Sequence, residues 1–266
     1  MGAGPLPLPL PVFFELAAPG AWQAIDLISD LHLSESTPAT FEAWTNHLRH
    51  TSADAVYMLG DLFEVWVGDD ACERPFERRC IEVLSDASTR LQLGFMAGNR
   101  DFLVGAGLLA HCGLQGLADP TVLVAWGRRV LLTHGDVLCV EDREYQAFRR
   151  EVRSEAWRSA FLARPLADRT ALAAGMRNAS EERKRGMPDP ALWADVDAPA
   201  AVGWMHAAGT AEMVHGHTHR PASQVLAPGF KRHVLSDWDL DSNPPRAEVM
   251  RLTRDGFSRM APAQGA

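Results

Sequence analysis

Short apolar runs that end on polar, metal-binding residue types recur along the chain, with segments of helical spacing between them. Ala24 to Ile28 stops at Ser29-Asp30-Leu31-His32, and Ala55 to Leu59 stops at Gly60-Asp61. Leu91 to Met96 stops at Gly98-Asn99-Arg100-Asp101, and Val130 to Leu132 stops at His134-Gly135-Asp136. Thr40 to Arg49 and Glu77 to Ser88 space their apolar residues as a helix does. Short strands joined by helices predict an α/β sheet, with functional groups on the loops that leave the strand ends.

The texture changes between about Glu141 and His206. This stretch is rich in Ala and Arg, lacks strand patterns, and is broken by Pro165, Pro188, Pro190 and Pro199. Beyond His219, Ser223 to Leu226, His233 to Leu235 and Ala247 to Leu252 alternate as antiparallel strands finishing a second sheet would. The expected organisation is a core of residues 22–140 and 207–260, interrupted by a helical insertion at 141–206.

With 266 residues, 47% hydrophobic and 23% charged, the chain can bury a substantial core. One domain is expected, because the candidate ligands run from Asp30 to His219 and must meet in one place. A net charge of −8 disfavours nucleic acid as a partner. The insertion departs from that balance, with eleven Lys or Arg against six Asp or Glu between Arg143 and Arg185, which points to an anionic partner. Cys72, Cys80, Cys112 and Cys139 form no CxxC pair and are expected as reduced thiols of a cytoplasmic protein. The apolar start, MGAGPLPLPLPVFF, has no Lys or Arg before it, and its prolines would spoil a signal-peptide helix. No window is apolar enough to predict a membrane-spanning helix.

Seven residues carry the candidate chemistry: Asp30, His32, Asp61, Asn99, His134, His217 and His219. In a strand continuing through Asp30 and His32, residues two apart project to one side, so that a carboxylate and an imidazole can close on one cation. Asp61 follows a glycine that permits a tight turn, and its two oxygens can bridge two cations. Asn99 offers an amide oxygen, and the histidines offer ring nitrogens. Nitrogen and oxygen donors without a thiolate suit Mn²⁺, Fe²⁺ or Zn²⁺ better than Ca²⁺ or Mg²⁺ alone. A lone Asp-x-His or His-x-His is more often a turn, a strand face or a core histidine. Five such motifs in order at strand ends are hard to obtain by accident.

That series, D-x-H, G-D, G-N-[HR]-[DE], H-G and G-H-x-H, resembles the calcineurin-like metallophosphoesterase superfamily over nearly the whole chain. Many members carry a histidine after the asparagine, where this chain has Arg100. Leu59 to Asp70 (LGDLFEVWVGDD), His134 to Cys139 (HGDVLC) and His215 to Pro221 (HGHTHRP) narrow the resemblance to the UDP-2,3-diacylglucosamine hydrolase family of lipid A biosynthesis.

The resemblance implies a four-layer α/β/β/α sandwich with a helical lid insertion. It implies two Mn²⁺ ions, or other divalent transition metals, one held by Asp30, His32, Asp61 and His219 and the other by Asp61, Asn99, His134 and His217. The substrate it implies is an acylated UDP-sugar, attacked by a metal-activated water at the phosphorus attached to uridine. Asp61, Asn99, Arg100 and His217 would serve catalysis, and Asn99, Arg100, Asp142, Ser180, Lys184 and His217 would contact substrate.

Some of these residues keep a second reading. Arg100 suits phosphate oxygens or an ion pair with Asp101, and Asp142 suits a sugar hydroxyl or a helix N-cap. Lys184 stands where the family pattern has an asparagine, and Met187 where it has a lysine. The apolar residues Tyr145, Phe148, Val152, Trp157, Phe161, Leu162 and Leu166 can line acyl chains or form core beneath a solvated face. The implied setting is a monomer, peripheral on the cytoplasmic face of the inner membrane. The alternatives are a metallophosphoesterase acting on a soluble nucleotide or phosphodiester, and a non-enzymatic scaffold.

Overall fold

Twelve strands pair into two sheets in the computed structural model, which describes residues 8–186 and 194–265, except the side chains of 179–181 and 183–186. The second sheet contributes strand β1 (Phe14–Ala17), and the first contributes β2 (Ala24–Ile28), β3 (Ala55–Leu59), β4 (Gln92–Met96) and β5 (Leu114–Leu117). Then come β6 (Thr121–Ala125), β7 (Arg128–Thr133), β8 (Glu212–His215), β9 (Ala222–Ala227) and β10 (Phe230–Val234) of the second sheet, and β11 (Val249–Thr253) and β12 (Gly256–Met260) of the first. The sheet orders are β12-β11-β2-β3-β4-β5 and β1-β6-β7-β8-β10-β9. Strands β2 and β3 are buried along their whole length, and every residue of theirs except Asp26 is hydrophobic, as suits strands covered on both faces. Their parallel registers, Ile25↔Ala55 and Ala55↔Gln92, bring the ends of β2, β3 and β4 to one edge.

Three apolar clusters define the layers. Ile25, Leu27, Tyr57 and Leu59 of the first sheet meet Leu123, Leu132 and Val214 of the second between the sheets. Helices α1 (Pro38–His50) and α2 (Pro75–Ser88) cover the outer face of the first sheet with Trp44, Leu48, Cys80 and Leu84. The outer face of the second sheet meets a later helix, described below, so the order is α/β/β/α. A short helix, α3 (Ala106–His111), leads into β5.

The strands after His219 do not finish one sheet. Strands β9 and β10 join the second sheet, with β10 parallel to β8 and antiparallel to β9. Strand β11 instead runs antiparallel to β2, because Met250 and Leu252 complete the cluster between the sheets. Strand β6, not among the expected elements, is a β-branched run joined to β7 by Trp126-Gly127, both at positive φ, as a two-residue hairpin requires.

The helical stretch consists of α4 (Arg143–Val152), α5 (Glu155–Leu162), α6 (Leu166–Gly186) and α7 (Ala198–Ala208). Helix α7 buries Trp204 and Met205 against Val122, Leu131 and Met213, so it is the outer layer of the second sheet. Helices α4 to α6 lie elsewhere: Phe161 is in the α1/α2 cluster, and Trp157, Leu166 and Ala173 pack on it. Arg169 of α6, 3% exposed, donates to the Val67 carbonyl and the Asp70 carboxylate.

One buried ion cluster ties β2 to β11. Arg251 donates to both oxygens of the fully buried Asp26 at 2.7 and 2.9 Å, Thr51 Oγ1 donates at 2.6 Å, and His47 Nε2 lies at 3.3 Å. Burial pushes this carboxyl up, but Arg251, His47 and Thr51 bring it down to about 2. The unfolded value is about 3.9. The cluster's contribution is therefore fully present above about pH 4 and lost as the pH falls through about 2. Arg251→Ala should lower the unfolding free energy by about 3 kcal/mol at neutral pH. In urea unfolding that deficit should shrink as Asp26 becomes protonated; a deficit independent of pH would assign the loss to packing instead.

Candidate metal centre

The seven predicted ligands sit on loops leaving β2, β3, β4, β7 and β8. The loops are laced together by their own backbone. The N–H groups of Asp30, Leu31 and His32 donate to the carbonyls of Gly60 and Asp61 at 2.9–3.0 Å, Gly216 donates to His134 at 3.1 Å, and Trp238 donates to Asp30 at 3.0 Å.

The strand geometry expected for Asp30 and His32 is absent, because β2 ends at Ile28. Asp30 and His32 have φ of 55° and 48°, and Asp61, His217 and His219 have φ of 55°, 66° and 52°. Among the described residues one other non-glycine residue has positive φ, Trp126 in its hairpin. Left-handed backbone costs a non-glycine residue about 1–2 kcal/mol. These five turns persist because the lacing between loops over-determines them, and they aim the side chains inward.

All seven predicted ligands come together. Oxygen and nitrogen atoms of Asp30, His32 and His219 lie within 4.8 Å of one another, as do those of Asp30, Asp61 and His134. His32 Nε2 faces His219 Nε2 at 3.3 Å, and His219 Nε2 lies 3.4 Å from Asp30 Oδ1. Asn99 Oδ1 is 3.0 Å from His134 Nε2 and 2.8 Å from His217 Nδ1, while His134 Nε2 is 3.8 Å from Asp61 Oδ2. Ring nitrogens that face one another and carboxylates need protons or cations between them. The donor set, four imidazoles, two carboxylates and an amide oxygen, fits divalent transition ions.

The outer nitrogens of three of these histidines face acceptors, as metal-binding histidines commonly do. His32 Nδ1 is 3.1 Å from Glu64, His219 Nδ1 is 3.6 Å from Asp237, and His134 Nδ1 is 3.0 Å from the Leu59 carbonyl. Burial pushes Asp30 up, but the hydrogen bond to His219 and the neighbouring imidazoles hold its carboxyl well below the usual range. Burial lowers His134, yet Asp61, Asp30 and Asp136 outweigh it and lift it to about 9. Burial and His134 push His217 down to about 4. His134 thus holds a proton that an incoming cation must displace, which makes metal affinity rise with pH.

Arg100 donates its backbone N–H to Asp61 at 2.8 Å, and its Nη1 lies 3.7 Å from Glu64. Asp101, the other partner expected for it, is fully buried and accepts the N–H groups of Gly98 and Leu62, each at 2.8 Å, which organises two ligand loops. Asp142 caps α4, its Oδ1 accepting from Tyr145 N at 2.9 Å. Ser180 and Lys184 fall on α6, but their side chains lie outside the described residues, as does Met187.

Three carboxylates outside the predicted set have clear roles. They are Glu64, Asp237 and Asp136; the last accepts from Tyr145 Oη at 2.5 Å and from Arg149 Nε at 2.7 Å. Glu64 and Asp136 lie inside motifs already quoted, so position beside a ligand was the available signal. Tyr145 also stacks on His217, with ring centroids 5.9 Å apart.

The model of one family, described as calcineurin-like phosphoesterase, matches residues 24–223. The chain belongs to the calcineurin-like phosphoesterase family. Among curated relatives, a UDP-2,3-diacylglucosamine hydrolase from Chromobacterium violaceum is 43% identical over 81% of this chain and 90% of that protein. Proteins of the same name from Xanthomonas campestris pv. campestris strain B100 and Aromatoleum aromaticum are 40% and 42% identical, over 87% and 81% of this chain and 96% and 89% of theirs. Membership in a metallophosphoesterase family and the two clustered donor sets agree on divalent-metal chemistry.

The motif glycines are set by close approach. A Cβ on Gly98 would lie 2.1 Å from Asp61 Oδ1 and 2.4 Å from its backbone nitrogen; one on Gly60 would lie 2.3 Å from His134 Nδ1. Gly98→Ala should therefore displace Asp61 and leave a folded protein with at least tenfold weaker Mn²⁺ binding, about what disturbing the support of a ligand costs. Elemental analysis after dialysis, beside circular dichroism, checks this; full metal content in the variant would mean that the loop absorbs the methyl group.

Proposed function

We propose that the protein hydrolyses the pyrophosphate bond of UDP-2,3-diacylglucosamine, giving UMP and 2,3-diacylglucosamine 1-phosphate, as a metal-dependent hydrolase of lipid A biosynthesis. One observation carries this reading: the curated relatives that align over most of their length share that name. The site is consistent with it, since all seven donors of the dimetal pattern meet at one centre.

In this reading Asp30, His32, Asp61 and His219 would hold one Mn²⁺ ion, and Asp61, Asn99, His134 and His217 would hold a second. When bound, such ions supply an acidified water and Lewis-acid stabilisation of phosphoryl charge. Arg100 presents a planar, permanently charged fork to the phosphate oxygens. Asn99 and His217 would add further phosphoryl contacts. Asp142 keeps its cap with Oδ1 and can offer its second oxygen to a sugar hydroxyl.

Helices α4 to α6 form the lid over the substrate. Val152 and Phe161 are core, 3% and 5% exposed, so they do not line an acyl groove. Phe148, Leu162, Leu172 and Met176 are 37–40% exposed and supply apolar surface for acyl chains. No helix among the described residues is long and apolar enough to cross a membrane. The same apolar surface, flanked by arginines, suits peripheral contact with the anionic cytoplasmic face of the inner membrane by a monomer.

Metal-stripped protein should release UMP from UDP-2,3-diacylglucosamine only after Mn²⁺ is restored, and should leave UDP-N-acetylglucosamine intact. Cleavage confined to soluble nucleotides or simple phosphodiesters would keep the metal chemistry and remove the lipid substrate. Asp61→Ala should abolish turnover, whereas Arg100→Ala should keep its metal and lower kcat by about 10²-fold.

A further inference from the structure

Glu64 sits three residues past Asp61, and its carboxylate serves three partners. Oε2 lies 3.1 Å from His32 Nδ1. Oε1 lies 2.9 Å from Arg177 Nε on α6 and 3.7 Å from Arg100 Nη1. The side chain is 18% exposed, so these partners replace most of its water.

The three partners belong to parts of the molecule that share no strand. His32 is on the loop after β2, Arg100 is on the loop after β4, and Arg177 is on a helix beyond the sheets. Along α6, Arg169, Ala173 and Arg177 recur every four residues and so share one face. Ala173 packs on the core cluster, and Arg169 is buried against the loop at Val67 to Asp70. Arg177 continues that face to Glu64, where α6 reaches the edge of the metal centre.

His32 presents Nε2 to the site, which requires the proton to reside on Nδ1; a carboxylate 3.1 Å from Nδ1 favours that tautomer. We propose that Glu64 is a positioning residue that couples α6 to the metal centre, one oxygen holding His32 for the metal and the other holding Arg177. This rests on the divalent-metal reading of the site and not on the identity of the substrate.

Two readouts on the free protein test it. The first is Mn²⁺ affinity of the metal-stripped protein by calorimetry. Glu64→Gln and Glu64→Ala should weaken Mn²⁺ binding by about 10- to 100-fold, and Arg177→Ala should leave it within about threefold, since Arg177 does not touch His32. The second is hydrogen exchange of peptides from the 169–178 segment. Exchange should quicken in Glu64→Gln and in Arg177→Ala, and the double variant should be no faster than the faster single one, because both changes break the same contact.

Mn²⁺ affinity unchanged in both Glu64 variants would overturn the hold on His32. Effects on exchange that simply add would overturn the coupling to α6. A thermal unfolding curve for each variant separates either result from general loss of fold. Neither measurement uses a UDP-sugar, so failure of the substrate assignment leaves both outcomes readable.

Discussion

The structure is organised around one electrostatic constraint: two carboxylates and four imidazoles must be brought face to face inside a protein. Unscreened charges at such separations are expensive to bury without counter-charges. Five of the seven donors are also held in left-handed backbone, which no isolated loop would keep. The fold meets both demands by placing every donor just past a strand that is itself buried. Parallel pairing of β2, β3 and β4, and of β7 with β8, carries the loops to places where they can bond to one another. Asp101 shows how closely this is coupled, since one buried side chain accepts backbone N–H groups from the loops that carry Asp61 and Asn99.

What was legible in the sequence follows from the range of the interactions involved. Strands β2 and β3 were visible to the residue, because strands buried on both faces read as nearly continuous apolar runs, broken here only by Asp26. The seven donors that the fold brings together were visible as a series, because they fall where apolar runs give way to glycine or polar residues. How Asp30 and His32 face inward was not visible. Alternation along a strand and successive left-handed turns both bring residues two apart together, and contacts with the Gly60-Asp61 backbone decide between them. The sheet membership of β11 was hidden for a related reason: Met250 and Leu252 fit either sheet locally, and only the cluster between the sheets selects one.

Support for the ligands was the least legible part. Glu64, Asp237 and the Leu59 carbonyl each face the outer nitrogen of a predicted ligand histidine, yet they belong to three different segments. Asp237 is itself held by Arg246, whose Nε donates at 2.8 Å. His217 differs from the other three histidines in presenting Nδ1 to Asn99, and it is covered by Tyr145 rather than aligned by a carboxylate. A ring packed under a tyrosine of α4 is coupled to that helix through contact area, while His32 is coupled to α6 through charge. The two helices thus reach the centre by different physics.

The same contacts change the meaning of the insertion's positive charge. From composition, its excess of Arg and Lys suggests a surface offered to an anion. In the fold, Arg149 and Arg153 are drawn to Asp136, Arg169 to Asp70, and Arg177 to Glu64, all carboxylates outside the insertion. Four of the cations therefore dock the helices onto an acidic core, and the charge difference between the segments is in part an internal fit. An anion arriving at the centre meets arginines already engaged with carboxylates. It must draw Arg100 and Arg177 from a shared partner, Glu64, and what it gains from them is the difference between two ion pairs rather than the whole of one.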